Sequence, residues 1–404
     1  MVTPRFDPQK FHEFNRLTAL PAAGGAMGEG ATTPTRNATY ARVSAQLKVI
    51  RRKGSVTNFL QDSAANYVDA AAAEMESHLT AHIYDMIIYM LFGNLVADQY
   101  SFSGLDLFTT TNRVNEAQGG RVPTTLSFLD TMIDANMDKQ GAAHRKAFVM
   151  SPQMISKISQ LLTNVRLVQG LSGSGLSTVE VPGGWRLAAY RDVPIIASGA
   201  CRPKITMGTV TTASAGSGGV ITNDEYFFRV SVITWDGESL ASAEVSETTS
   251  GGADTITISW TAITGAMYYK VYEGLTTGVL TLIRVIAAST YDANGTITGN
   301  NNSLIFTADP AADTSAPTAL QSDIPLVATG GVSPEYIFFW DLDEFQGMGK
   351  LAYTNSAGSR FNGLVTMYPL AQTDDNLPFL VKTYAALIDS FEATCSIHRG
   401  LRVA

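Results

Sequence analysis

The character of this chain changes twice, and any fold has to accommodate both changes. Up to about residue 204, long stretches rich in Ala and Met carry apolar side chains at steps of three and four. Residues 205 to 327 lose that helical signal and become rich in Thr, Ser, Gly and Val. Alternating runs there predict strands at Tyr226 to Trp235, Thr255 to Trp260, Tyr268 to Tyr272 and Leu280 to Ile286, with Asp236-Gly237 and Asn294-Gly295 as turn dipeptides. Together these make a β-sandwich of about 120 residues, with Trp260 as its bulky inter-sheet anchor and the run Ala308 to Pro317 as its exit linker. Residues 328 to 404 return to mixed character, with strands expected at Tyr336 to Trp340, Leu364 to Tyr368 and Phe379 to Ile397. This tail has no core of its own, so it should pair with strands that precede residue 205. The sandwich therefore reads as an insertion.

The flanking segments are equally distinct. Residues 1–36 hold a Pro-, Gly-, Ala- and Thr-rich stretch without clear periodicity and are expected to form an extended arm, ordered only against a partner. Residues 37–61 read as a hairpin, strands Tyr40 to Ile50 and Ser55 to Leu60 flanking a basic turn, Arg51-Arg52-Lys53-Gly54. From Asp62 the apolar positions Tyr67, Val68, Ala71, Met75, Leu79, Ile83, Met86, Ile87, Met90 and Leu91 predict one helix of about 30 residues, stopped at Gly93-Asn94. A second helix is expected over Thr124 to Met137, then a strand Ala147 to Met150. Ser151-Pro152 caps a third helix running to about Leu162. Short strands are expected at Trp185 to Tyr190 and Val193 to Ala197. The division is thus 62–184 for the long helix and the two shorter ones after it, 185–204 with 328–404 as a second unit, and 205–327 between them.

Composition removes several function classes. Apolar residues are 45% of the chain and charged residues 16%, so much of the surface must be neutral, which suits subunit contacts. With 28 Lys and Arg against 36 Asp and Glu, a net charge of −8 and scattered cations, phosphate neutralisation cannot dominate binding, and sequence-specific DNA binding is not expected. The most hydrophobic segment, Ile83 to Phe92, is too short to span a membrane and contains Asp85. Met1 to Gln9 lacks the apolar core of a secretory signal. Cys201 and Cys395 are read as two unpaired structural thiols.

Candidate chemistry is sparse. Glu74, His78 and His82 fall at steps of four on one helix face, the spacing of a metal pair. No third ligand accompanies them, and a solvated or interface-facing stripe is the expectation. Asp341, Asp343 and Glu344 read as solvated loop carboxylates. Gly170 to Gly175 and Gly183-Gly184 lack the Lys-Ser/Thr of a phosphate-binding loop, and no nucleophile elbow occurs. No catalytic constellation, metal site or cofactor is expected. Lys48, Arg51, Arg52 and Lys53 form the densest basic group, a candidate for docking on an acidic patch of a neighbouring subunit.

The order of these segments resembles the Hong Kong 97 fold of tailed-bacteriophage major capsid proteins. The arm, the basic hairpin and the long helix from Asp62 are similar to that family's N-arm, E-loop and spine helix. Phe148-Val149-Met150-Ser151-Pro152 resembles its peripheral-domain strand and helix, and Trp185 to Ala197 its entry into the axial domain, which Tyr336 to Asp341 and Phe379 to Arg399 would close. The insert resembles a fibronectin type III or bacterial immunoglobulin-like module through Tyr226-Phe227-Phe228-Arg229-Val230, Ile258-Ser259-Trp260 and Gly265-Ala266-Met267-Tyr268-Tyr269-Lys270-Val271-Tyr272. The resemblance implies an α+β capsid fold carrying an all-β insert on the outer surface. It further implies a non-enzymatic subunit that self-assembles as hexamers and pentamers into an icosahedral virion shell in the bacterial cytoplasm. Such a shell encloses double-stranded DNA without reading its sequence, and a portal and decoration proteins would be further partners. Family members without a separate scaffold carry a long charged N-terminal extension; the short arm here implies either a separate scaffolding protein, the expectation taken, or an extension already removed. Two other readings compete: an encapsulin-type nanocompartment shell, against which the insert and arm argue, and a modular carbohydrate-binding or hydrolytic protein, for which no paired carboxylates are visible.

Overall fold

A computed structural model describes residues 3–7, 9–22, 25–26, 29, 32–33, 35–64, 69–116, 121–139, 141–168, 177–181, 185–201, 207–234, 237–252, 254–291, 297–309, 335–344, 346–354, 364–372, 375–401 and 403. The chain opens with strands, not an unpaired arm. Strand β1 (Thr3–Phe6) is followed by β2 (Phe11–Ala19), β3 (Thr39–Gln46) and β4 (Lys48–Thr57). β2 and β3 form a two-stranded antiparallel ribbon, Phe14 opposite Val43. One ribbon face lies on the body: Phe14 and Ala45 pack against the main core, and Leu17 joins Phe391 and Ala393. Arg16 reaches Asp389 at 2.9 Å. The expected hairpin over residues 37–61 is therefore corrected: β4 runs straight through Arg51-Arg52-Lys53-Gly54, and the ribbon's second strand comes from the supposed arm.

Helix α1 (Asn58–Ala64) and helix α2 (Ala70–Phe92) replace the single long helix expected from Asp62. Asp69 caps α2, its side chain accepting from Ala72 N at 3.0 Å. At 23 residues α2 is roughly 35 Å long; Tyr67 and Val68 fall outside the described residues. Helix α3 (Leu105–Phe108) and strand β5 (Arg113–Asn115) lead to helix α4 (Ser127–Met137), strand β6 (Lys146–Met150) and helix α5 (Pro152–Val168). Ser151 Oγ accepts from Met154 N at 3.1 Å, so the expected cap forms. Strands β7 (Ser177–Val181), β8 (Trp185–Tyr190) and β9 (Val193–Ala197) complete this part of the chain. Arg191 and Asp192, both at positive φ, turn β8 into β9 in two residues, the left-handed geometry that a tight hairpin requires. Gly170 to Gly175 and Gly183-Gly184 lie outside the described residues.

Ten strands come next: β10 (Val210–Ala215), β11 (Glu225–Thr234), β12 (Gly237–Glu238), β13 (Val245–Thr248), β14 (Thr255–Trp260), β15 (Tyr268–Thr276), β16 (Val279–Ala287), β17 (Ser289–Tyr291), β18 (Ile297–Asn300) and β19 (Ser303–Phe306). They build one sheet ordered β10-β14-β19 and another ordered β12-β11-β15-β16, with β13 also on β11. Ile256, Ile258, Trp260 and Phe306 from the first sheet meet Phe228, Val230, Val232, Tyr269 and Val271 from the second in one hydrophobic cluster. Trp260 is buried, its ring 5.2 Å from that of Tyr269. Asp236, Asn294 and Gly295 of the expected turns, and the linker from residue 310 on, lie outside the described residues.

The tail supplies β20 (Glu335–Asp341), β21 (Lys350–Thr354), β22 (Thr366–Pro369), β23 (Asn376–Ile388) and β24 (Ser396–Leu401). The single run expected over Phe379 to Ile397 is two strands in two sheets, broken by a short 3-10 turn at Glu392–Thr394. β23 pairs with β4 over ten residue pairs and with β21 and β22 on its other edge, while β1 adds in parallel to β21. β20 and β24 enter a seven-stranded mixed sheet, β5-β24-β20-β6-β9-β8-β7, so the tail does pair with strands ahead of the insert. On β20, Ile337 and Phe339 face α4 and α5 whereas Tyr336, Phe338 and Trp340 face α2, which buries the sheet on both sides.

Candidate assembly surfaces and a buried joint

The basic group is split by the pleat of β4. Arg52 points at α2 and donates to Asp85, Nε to Oδ2 at 2.5 Å and Nη2 to Oδ1 at 3.0 Å. Arg51 and Lys53 are exposed on the opposite face, beside Lys382 and Leu380 in register. Lys48 lies on the inner face and donates to the carbonyl of Gln99. Gly54 is not a turn residue. A Cβ there would collide with the ring of Phe379 and come within 2.9 Å of His78 Nε2, so glycine is what lets β23 and α2 close over β4.

Two further expectations are overturned. His82 is not on a solvated stripe; it is fully buried and shares a 2.8 Å hydrogen bond with Thr383 of β23, while His78 contacts Glu74 at 3.1 Å and packs edge-on against Phe379. Asp341 is not solvated either. Its Oδ2 accepts from Asn136 at 3.0 Å and contacts His144 Nδ1 at 2.7 Å, and its Oδ1 accepts from Asp343 N at 2.9 Å. Cys201 and Cys395 are free and buried, with burial pushing both thiols up. Among the described residues no three His, Cys, Asp or Glu side chains gather as a metal site, and no helix is long and apolar enough to cross a membrane.

The exposed side of α2 carries Ala73, Ser77, Thr80, Ile83 and Tyr84, with Glu76 as a charged neighbour, and α1 exposes Phe59 and Leu60. Such neutral and apolar surfaces tolerate desolvation by a neighbouring subunit.

Sequence reasoning missed a joint between the two-sheet region and the rest. The outer face of β11, β15 and β16 does not meet water; Ile233, Tyr268, Tyr272, Leu280 and Leu282 pack with Phe92, Tyr336 and Phe338 in one core. At its centre Glu238 is buried. Its Oε1 accepts from Ser231 Oγ at 2.7 Å, Tyr272 OH at 2.6 Å and Arg399 Nη2 at 2.6 Å; its Oε2 takes Lys270 Nζ at 3.3 Å and the Tyr336 hydroxyl. Lys270 also lies 3.6 Å from Asp106, which pairs with Arg113 at 2.9 Å. Burial alone would raise the Glu238 carboxyl, but Arg399 and Lys270, helped by the tyrosine hydroxyls, outweigh it and hold it at about 2. Polar residues alternating with aromatics on β11 and β15 look like a solvent face in sequence; only the tail's Arg399 and Tyr336 reveal their purpose.

No protein-family model matches the chain, and no curated protein matches it. Solved structures similar to it include shell proteins. They include the holo-SrpI encapsulin complex from Synechococcus elongatus (11% identity, 100% of this chain and 86% of that one, TM-score 0.47) and the capsid of cyanophage A-1(L) (12%, 98% and 89%, 0.41). A third is the capsid of a native GTA particle (10%, 99% and 88%, 0.39).

Proposed function

We propose that this chain is the major capsid protein of a tailed bacteriophage, a structural subunit that self-assembles into the icosahedral head. The observation that carries this reading is the platform made by α2 lying across the β4/β23 pair, beside a mixed sheet sandwiched between helices and a core, in the chain order that the Hong Kong 97 resemblance implies. On this reading α2 takes the place of the spine helix, and the division expected from sequence is redrawn: the β4/β23 sheet takes that of the peripheral domain, although β23 was expected in the axial one, and the seven-stranded sheet takes that of the axial domain, although its strand β6 was expected in the peripheral one. The β2–β3 ribbon, not residues 37–61, takes the place of the E-loop. A two-stranded ribbon is marginal alone; Phe11 and Tyr40 on it are exposed and suited to burial by a second subunit. The two-sheet region, read as an immunoglobulin-like insert spanning 205–327, would sit on the shell's outside, with a scaffolding protein, portal and packaged DNA as the assembly's other components.

Negative-stain microscopy of the purified protein tests this. Large closed shells or tubes are the expected outcome; small uniform cages would move the reading to an encapsulin-type compartment. A protein that stays monomeric at every concentration and salt sinks the shell reading altogether.

A further inference from the structure

We infer that one end of the two-sheet region, where Asp309 and Thr222 meet Tyr226 of β11 next to Glu273 of β15, is a binding site for a hard divalent cation of the Ca2+ kind. Asp309 is already fixed as a ligand would be: its Oδ1 accepts from Thr222 N at 2.8 Å, Thr222 Oγ1 at 3.1 Å and Tyr226 OH at 2.9 Å. Tyr226 OH also meets Thr222 Oγ1 at 2.8 Å, and the carbonyl of Thr222 accepts from Thr249 Oγ1 at 2.6 Å. These bonds hold a carboxylate, two hydroxyls and a backbone carbonyl at one point, and leave Asp309 Oδ2 outside them.

Glu273 is the independent observation. It lies beyond Tyr269 and Val271 on the inward side of β15, is only 3% exposed, and among the described residues receives no hydrogen bond. In register it stands opposite Phe228, one inward position from Tyr226, whose hydroxyl bonds Asp309 at 2.9 Å, and the charge that acts on it is that of Asp309, a second negative group. Of the region's cations, Lys270 and Arg229 project to the opposite faces of β15 and β11, towards Glu238 and Glu244, and Arg284 of β16 stands in register with Val271, not with Glu273. A carboxylate on a side chain this buried, given no protein donor and set beside another carboxylate, is a costly arrangement that a cation relieves. Every available donor is oxygen, which suits Ca2+, bound by six to eight oxygens including carboxylates, carbonyls and water, and does not suit Zn2+.

The test uses the full chain at mildly alkaline pH. Tb3+ should bind saturably, with emission sensitised through Tyr226, and Ca2+ should displace it; roughly millimolar Ca2+ should raise the melting temperature by a few degrees. Glu273→Gln keeps the shape and removes the charge. It should melt higher than wild type without Ca2+ and lose the Ca2+ shift, with Tb3+ affinity falling about tenfold or more. Tyr226→Phe removes one of the hydroxyls that fix Asp309 and the nearest antenna, so the Ca2+ shift and the sensitised emission should both weaken. A wild-type protein indifferent to millimolar Ca2+, with Glu273→Gln still more stable, would show a carboxyl that is simply buried in its neutral form and would overturn the proposal. A Ca2+ shift that survives Glu273→Gln unchanged would place the ion elsewhere and overturn it equally.

Discussion

Glu238 shows how one side chain can hold two regions of this molecule together. Its carboxylate is surrounded by donors from β11, β15, β20 and β24, so removing it leaves Arg399 and Lys270 buried without their counter-charge. Glu238→Ala should cost about 3–5 kcal/mol in chemical denaturation, and a loss below about 1 kcal/mol would mean that water or Asp106 compensates. The pH dependence has a definite sign. A carboxyl held at about 2 when folded and near its ordinary value of 4.5 when unfolded contributes stability above 4.5 that is lost as pH falls towards 2. Wild type should therefore lose stability more steeply in that window than Glu238→Gln, which keeps only the limb due to other lowered carboxyls such as Glu244 and Asp309. Gly54 is the counterpart in packing: Gly54→Val should destabilise by about 1–3 kcal/mol, because Phe379 and His78 leave no room for a branched side chain. A variant as stable as wild type would show that β23 shifts away freely.

At the scale of elements, β8, β9 and β14 fall where their alternation places them, and α5 starts at its Ser-Pro signal. β4 was illegible for a physical reason. Three cations and a glycine look like a turn, yet the two inward positions answer to contacts distant in sequence: Arg52 to Asp85, Gly54 to Phe379 and His78. The break between β23 and β24 was hidden in the same way, because Leu387, Ile388 and Phe391 keep the run apolar while Asp389 and Ser390 turn aside to meet the ribbon. The pleat of β4 separates two roles that the sequence merged. Arg52→Glu, which sets a second carboxylate against Asp85, should lower monomer stability by about 1–3 kcal/mol. Arg51→Glu with Lys53→Glu should leave the monomer's melting temperature unchanged and, on the proposal that these two side chains dock on an acidic neighbour, should impair assembly in a salt-dependent manner, since exposed pairs are screened beyond about 8 Å at physiological ionic strength. Assembly at wild-type yield across a salt series would leave Arg51 and Lys53 as solvated strand residues.

For the whole molecule, the sequence marks where the β-rich region begins but not how firmly it is seated. Its core of Phe228, Val230, Ile256, Trp260, Tyr269 and Phe306 is drawn from its own two sheets, which favours independent folding. Yet the opposite face of its larger sheet shares a core with α2 and β20, and Asn94 N donates to the Tyr268 hydroxyl at 3.2 Å across the same joint. Deletion therefore has unequal consequences for the two parts. An excised fragment of residues 205–327 should unfold cooperatively on its own, although it exposes Tyr268, Tyr272 and Leu282, and it should self-associate through that face. The remainder, closed by a short Gly/Ser linker, would keep both sheets that contain β20, β23 and β24 but expose Phe92, Tyr336 and Phe338 and strand Arg399, while Asp106 keeps Arg113. It should be less soluble and less stable than the full chain, and substituting Tyr336 and Phe338 with polar residues together with Arg399→Gln should recover soluble protein that, on the proposed shell function, assembles. Circular dichroism melts and light scattering on the three proteins decide the matter. A simple deletion that assembles as well as wild type would show the joint to be an incidental contact, and a fragment that never folds would show the insert to be an integral layer of the subunit.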